Sequence, residues 1–168
     1  MSKIESLKNI NPNDFLKLSQ EIYDKTSFMA EYYPNYKNWF FEKQIPRVLN
    51  GHGEILFVRV KDNIIAVTCL KKEKEEQKIC TLYVSKAYRG NHLGTELLAA
   101  SMCFLGTTKP FITFAETRLP MFQSFIEKYD WKLTEIVHNN YQKELCFNGY
   151  LTKSLAKEES RRTRTHKN

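Results

Sequence analysis

Residues 78–106, KICTLYVSKAYRGNHLGTELLAASMCFLG, constrain the fold more than any other stretch. Residues 79–84 form a short apolar run rich in β-formers, bounded by charge on one side and a turn on the other. A period of two places Cys80, Leu82 and Val84 on one face of a strand and Thr81 and Tyr83 on the other. Arg89-Gly90-Asn91-His92-Leu93-Gly94 then breaks the alternation with two glycines. From Thr95 the period becomes helical. Leu97, Leu98, Met102 and Leu105 make an apolar stripe, and Gly106 ends it. A buried strand, a basic turn and an amphipathic helix in that order predict an α/β fold.

The turn has a chemistry of its own. A helix N-terminus carries N–H groups without intrahelical acceptors, and the helix dipole is positive there. Glycines let the main chain approach a ligand closely. A phosphate or pyrophosphate suits such a site, and Arg89 adds a positive charge. Ordinary turn glycines between a strand and a helix would explain the same six residues.

Leu82-x-Val84, followed by Tyr88-Arg89-Gly90-x-x-x-Gly94 and an amphipathic helix, resembles the acetyl-CoA-binding motif of the GCN5-related N-acetyltransferase (GNAT) family. That motif reads Gln/Arg-x-x-Gly-x-Gly/Ala after a strand ending Leu-x-Val. Arg89 matches its first position and Gly94 its last, while His92 replaces the middle glycine. A histidine in a left-handed conformation is less costly than most residues. The resemblance implies a single domain with a mixed, mostly antiparallel twisted sheet, a splayed central parallel pair and flanking helices. It implies acetyl-CoA as acyl donor. The donor would be held by main chain at Leu82, Tyr83 and Val84 and by Arg89, Gly90, Asn91, His92, Leu93, Gly94 and Thr95. The pantetheine arm would enter between residues 79–84 and the strand at 110–115, pairing with main chain near Leu82 and Val84 as an added strand would.

The remaining segments fit around this centre. Asn11-Pro12-Asn13-Asp14 reads as a helix start, with Phe15, Leu18, Ile22 and Tyr23 at helical spacing. A second helical stretch begins near Pro34, is interrupted or kinked at Pro46, and closes at Asn50-Gly51. Aromatics are dense here: Phe28, Tyr32, Tyr33, Tyr36, Trp39, Phe40 and Phe41, interleaved with Lys25 and Lys37. Helices packing on a sheet explain them; an acceptor pocket or a stacking platform for nucleic acid are the functional alternatives. Residues 54–60 and 64–70 are strands joined by a tight turn at Lys61-Asp62-Asn63, and 71–78 is a charged hairpin end. After Gly106, residues 110–115 are a buried strand. Leu119-Pro120 opens a helix with Met121, Phe122, Phe125, Ile126 and Tyr129 on one face. Residues 132–138 and 141–147 are the last strands, and Asn148-Gly149 ends the fold.

Composition bounds the partners. A chain of 168 residues with 42% hydrophobic residues is long enough for one domain with a real core, here residues 1–152. No apolar run is long enough to span a bilayer, and the first ten residues are too polar for a secretory signal, so a cytoplasmic protein without membrane partners is expected. Cys69, Cys80, Cys103 and Cys146 lie in apolar runs without C-x-x-C spacing; buried free thiols are expected, and no metal. A net charge of +7 admits an anionic ligand. The basic stretch 157–168, within a flexible tail from residue 153, leaves a nucleic-acid partner open. Monomer and homodimer are both compatible with the sequence.

Amine acetylation needs a neutral amine, a polarised thioester carbonyl and a stable leaving thiolate. An alkyl amine titrates near 10.4, so it needs a base or a desolvating pocket, whereas a thiolate of pKa about 8.5 leaves without strong acid assistance. A strand N–H near Val84 is a candidate oxyanion donor. The resembled family places a tyrosine proton donor where this chain has Ile126, and Asp130-Trp131 stands where the family has Gly-Phe. Glu116 and Glu76 are the candidate bases, and Tyr129 is the candidate acid one turn later. The expected function is transfer of acetyl from acetyl-CoA to a primary amine, on a small molecule or a protein, by direct reaction in a ternary complex. A non-catalytic CoA-binding module and an acetyltransferase of nucleic-acid-linked amines such as aminoacyl-tRNA are the alternatives.

Overall fold

The computed structural model describes residues 2–140 and 142–149, in two compact units that meet in sequence at Thr107 and Thr108. The basic stretch 157–168, and with it the expected flexible tail from residue 153, lies outside the described residues.

The first unit is organised on a four-stranded antiparallel sheet, β1 (Glu5–Ser6), β2 (Gly53–Val60), β3 (Asn63–Lys72) and β4 (Gln77–Val84), in that order. The β2–β3 turn places Lys61 and Asp62 both at positive φ, 49° and 65°. That is a type I′ turn, whose twist matches the strands it joins. β1 has no sequence signal at two residues long. It is held by side chains: Glu5 forms a two-pronged ion pair with Arg59 at 2.7 and 2.8 Å, and buried Glu54 accepts from the Ser6 hydroxyl at 2.7 Å.

One sheet face carries the first helices. α1 (Phe15–Thr26) is followed by α2 (Tyr36–Trp39), a π-helical turn (Phe40–Gln44) and α3 (Ile45–Asn50). The interruption expected at Pro46 is this π turn. Proline has no N–H to give to the preceding turn, and the amide of Ile45 reaches Phe40 O instead. Gly51 then closes α3 at φ 78°. Leu18, Ile22, Tyr36, Phe40 and Val48 pack with Ile55, Phe57, Val67 and Cys69 of the sheet. Helix α4 (Leu93–Leu105) covers the other face, burying Leu97, Leu98, Met102 and Leu105, with Ser101 Oγ 3.3 Å from Thr68 Oγ1. Gly106 ends α4 in the left-handed region at φ 71°.

β4 does not keep its period. Thr81 lies opposite Cys69, but Ile79 lies opposite Leu70, so Cys80 is an extra residue on β4. Leu82 and Val84 face α4 together, as expected. Cys80 does not join them. The bulge turns it to the opposite face, where it packs with Tyr83 against the α1–α3 cluster. Nor are all four thiols buried: Cys69 and Cys146 are, Cys80 is half-buried, and Cys103 is exposed on α4.

The second unit has β5 (Phe111–Ala115), β6 (Leu133–His138) and β7 (Lys143–Phe147), with β7 between the other two and both pairings antiparallel. α5 (Leu119–Tyr129) buries Phe122, whose ring stacks on Phe114 at 4.1 Å; Phe114 in turn stacks on Phe147 at 5.3 Å. Met121 leaves the expected apolar face and is 51% exposed. At about 100° per residue it lies beyond the edge of the stripe made by Phe122, Phe125, Ile126 and Tyr129. Asp130 caps α5 at φ 53°, the conformation a glycine would take most cheaply. Trp131 is buried and donates its Nε1–H to Thr108 O at 2.7 Å. Asn148, also left-handed, ties β7 to the rest: its Nδ2 donates to Pro110 O at 3.0 Å and its N–H to Lys132 O at 2.9 Å.

Candidate active site

The residues at the end of β4 form a preformed main-chain cradle. Ala66 lies opposite Val84, and the amide of Ser85 donates to Ile65 O at 2.7 Å. In an antiparallel ladder this makes Ala66–Val84 a pair without direct hydrogen bonds. The N–H and C=O of Val84 therefore point away from β3, and by the same alternation so do those of Leu82. Tyr83 spends its main chain on β3 and sends its half-buried side chain toward Phe28, with ring centroids 5.5 Å apart.

A short 3-10 turn (Lys86–Tyr88) leads to Arg89, whose Nε donates to the Val84 carbonyl at 2.9 Å. Gly90 has φ 86°, which only glycine adopts without strain. Asn91 is exposed. His92 stands at the N-cap of α4 with φ 61° and ψ 6°. The middle position of the motif thus needs a left-handed residue, and histidine supplies it. The imidazole does not cap the helix. Glu96 is the first residue of α4 whose amide finds an intrahelical acceptor, His92 O at 2.9 Å. The N–H groups of Leu93, Gly94 and Thr95 stand at the open positive end of the helix. Leu93 is buried and anchors that end; Thr95 is exposed.

Gly94 is informative because nothing within the protein demands it. It lies inside α4, where glycine costs about 0.5–1 kcal/mol relative to alanine. A Cβ there would meet only Val84 Cγ2, at an ordinary 3.7 Å. Neither conformation nor packing accounts for a glycine in the first turn.

The predicted cofactor-binding residues are thus contiguous in space. The predicted catalytic residues are not gathered at the turn. Glu76 belongs to the charged loop before β4 and accepts from Lys71 Nζ at 3.0 Å. It stands at the other end of β4 from Arg89, about 25 Å away by strand rise. Its charge is felt at the bulge, where it helps burial push the Cys80 thiol up, against Lys78, Arg47 and Lys71. In the second unit Glu116 is exposed, opens a 3-10 turn after β5 and accepts from Lys143 Nζ at 3.3 Å. Tyr129 ends α5 with its ring stacked on Phe125 at 6.3 Å and Lys128 Nζ 5.2 Å from the ring centroid.

Beneath the bulge lies a buried polar group that no sequence signal announced. Tyr36 donates its hydroxyl to Thr26 Oγ1 at 2.9 Å and also interacts with Thr81. Burial raises the Tyr36 phenol and the Cys69 thiol well above their ordinary values, so both stay protonated. Of the aromatic segment, Tyr36 and Phe40 are core and Trp39 and Phe41 pack on them, while Phe28, Tyr32 and Tyr33 are about 40% exposed. No group of His, Cys, Asp and Glu among the described residues could hold a metal ion, and none of their helices is long and apolar enough to cross a membrane.

Comparison with solved structures agrees with this architecture. A GNAT-family protein from Desulfovibrio desulfuricans superposes with a TM-score of 0.61 at 13% identity, covering 88% of this chain and 97% of that one. A GNAT-family acetyltransferase from Staphylococcus aureus gives 0.60 at 12% identity, covering 87% and 98%. The ribosomal-protein-S18-alanine N-acetyltransferase of Escherichia coli gives 0.58 at 13% identity, covering 88% and 92%. At such identities the likeness shows the fold: an α/β domain with a mixed, mostly antiparallel sheet flanked by helices. No curated protein sequence matches the chain. The acetyltransferase (GNAT) family model matches residues 13–107, more than half of the 168 and almost all of the unit that carries the turn. The chain therefore belongs to the GNAT acetyltransferase family.

Proposed function

We propose that this acetyltransferase takes acetyl-CoA as donor and moves its acetyl group to a primary amine by direct attack in a ternary complex. Gly94 carries the reading: a glycine in the first turn of α4 that neither conformation nor packing requires, in front of three N–H groups. The donor set fits a pyrophosphate, with main-chain N–H groups, a helix dipole and the cationic Arg89 and Lys86 close in sequence. Leu82 and Val84 direct main chain away from β3, which suits an extended amide-bearing arm.

In this scheme the N–H of Val84 polarises the thioester carbonyl, and positioning of both substrates supplies much of the rate. Glu116 is the proposed base for the incoming ammonium, because Glu76 stands at the far end of β4, about 25 Å by strand rise from the Val84 N–H and beyond the reach of a base. Tyr129 is the candidate acid. An amine acceptor is consistent with the fold shared with the S18-alanine N-acetyltransferase, which acts on a protein amine.

Thermal unfolding with acetyl-CoA is the direct test. Ligand at about 100 times its dissociation constant adds about 2.7 kcal/mol, which for a chain of this size is roughly 5–10 °C. Thiol release with a panel of primary amines then reads transfer. No thermal shift at millimolar acetyl-CoA would sink the proposal. A shift without transfer to any amine would leave a CoA-binding module.

A further inference from the structure

The side chain of Arg89 is committed in a way that its charge does not explain. Its Nε donates to the carbonyl of Val84 at 2.9 Å. That carbonyl is the last one on β4 that points away from β3. The bond therefore joins the start of the turn to the outer edge of the strand that leads into it. Between the two lies a segment with little else to fix it: the 3-10 turn, held by Tyr88 N–H to Ser85 O at 2.9 Å and Arg89 N–H to Lys86 O at 3.4 Å. After it come Gly90 and His92, both left-handed.

We infer that Arg89 is a positioning residue that acts through the Val84 carbonyl: it closes the turn into its ligand-ready shape and ends the outer edge of β4 at the Val84 N–H. With the carbonyl occupied, an extended donor arm at that end of the strand meets a donor and not an acceptor. The inference rests on the proposed donor site. What it adds is that Arg89 acts through a planar N–H four bonds from Cα as well as through its charge.

Side-chain chemistry makes the two roles separable. Glutamine carries its amide nitrogen the same number of bonds from Cα as the Nε of arginine, so Arg89→Gln keeps the donor and removes the charge. Lysine has a methylene at that place, so Arg89→Lys keeps the charge and removes the donor.

The experiment compares wild type, Arg89→Gln, Arg89→Lys and Arg89→Ala as full chains, with two readouts. Acetyl-CoA titration at low salt should give an affinity at least about threefold tighter for Arg89→Gln than for Arg89→Lys or Arg89→Ala. Amide hydrogen exchange without ligand should be faster across residues 85–92 in Arg89→Lys and Arg89→Ala than in wild type and Arg89→Gln. An Arg89→Lys variant that binds like wild type, beside an Arg89→Gln as weak as Arg89→Ala, overturns the inference in favour of a charge contact. Unchanged exchange in all variants overturns it as well. If wild type binds no acetyl-CoA but the exchange pattern holds, the donor reading fails while the clamp stands.

Discussion

The two ends of β4 are built from different materials. Its carboxyl end opens into a cradle of main-chain groups: the outward N–H of Val84, two left-handed residues and the uncapped first turn of α4. Its amino end begins in a knot of side-chain charge, with Lys71 bridging Glu76 at 3.0 Å and Glu73 at 3.8 Å, and Arg47 3.8 Å from Glu73. Main-chain donors need only a few residue types at fixed spacing, so a binding turn leaves a compact mark in sequence. A carboxylate with a chemical role has no such mark. Its meaning depends on partners brought from other elements.

The largest expected effect breaks the first end. Gly94→Trp fills the space before the α4 N-terminus, and kcat/KM should fall at least a hundredfold, about 2.7 kcal/mol of transition-state stabilisation. Circular dichroism checks that the variant is still folded: a Cβ at residue 94 meets only Val84 Cγ2, at an ordinary 3.7 Å. Next, Glu76→Gln tests the second end. Glu76 is ion-paired to Lys71 and remote from the turn, so the substitution should leave kcat within about threefold of wild type, whereas Glu116→Gln should lower kcat about ten- to a hundredfold with the acetyl-CoA KM unchanged. A fall of about tenfold or more in Glu76→Gln alone would overturn this assignment and give Glu76 the role of base.

Smaller effects sharpen the contrast. Tyr36→Phe removes the partner of Thr26 beneath the bulge and should cost about 1–2 kcal/mol in denaturant unfolding. His92→Gly relieves a left-handed side-chain conformation and should be neutral or stabilise by up to about 1 kcal/mol, with acetyl-CoA binding retained. A fall of tenfold in binding would show instead that the imidazole itself contacts the ligand. The smallest concerns ion pairs. The hydrogen bond from Arg59 holds Glu5 below the usual carboxylate range. A lowered folded pKa stabilises above the unfolded value near 4.5 and loses that contribution as pH falls through the folded one. Glu5→Gln should therefore cost at most about 1 kcal/mol at pH 7. Thermal midpoints of variant and wild type should converge as the pH falls through the lowered folded value of Glu5.

Much of the fold could be read in advance because each sign was local. The tight turn at Lys61-Asp62-Asn63, the stops at Gly51 and Gly106 and the disturbance at Pro46 are each marked by a short local signal. His92 in a left-handed cap is of the same kind. Three features escaped. β1 is too short to have a period and exists through Glu5–Arg59 and Ser6–Glu54 contacts across about fifty residues. Cys80 changed face because a bulge resets alternation, and a bulge depends on the partner strand. Met121 lay at the margin of a stripe whose width is set by what it packs against.

The sequence by itself determined the strand, turn and helix of residues 79–105, and with them the family. These are main-chain properties, fixed by glycine, by left-handed tolerance and by helical period. Tertiary structure decided which main-chain groups of β4 face outward, that Arg89 is spent on the Val84 carbonyl, and that Glu76 is ion-paired at the strand's far end. Those outcomes depend on register and on long-range partners, and a linear chain records neither.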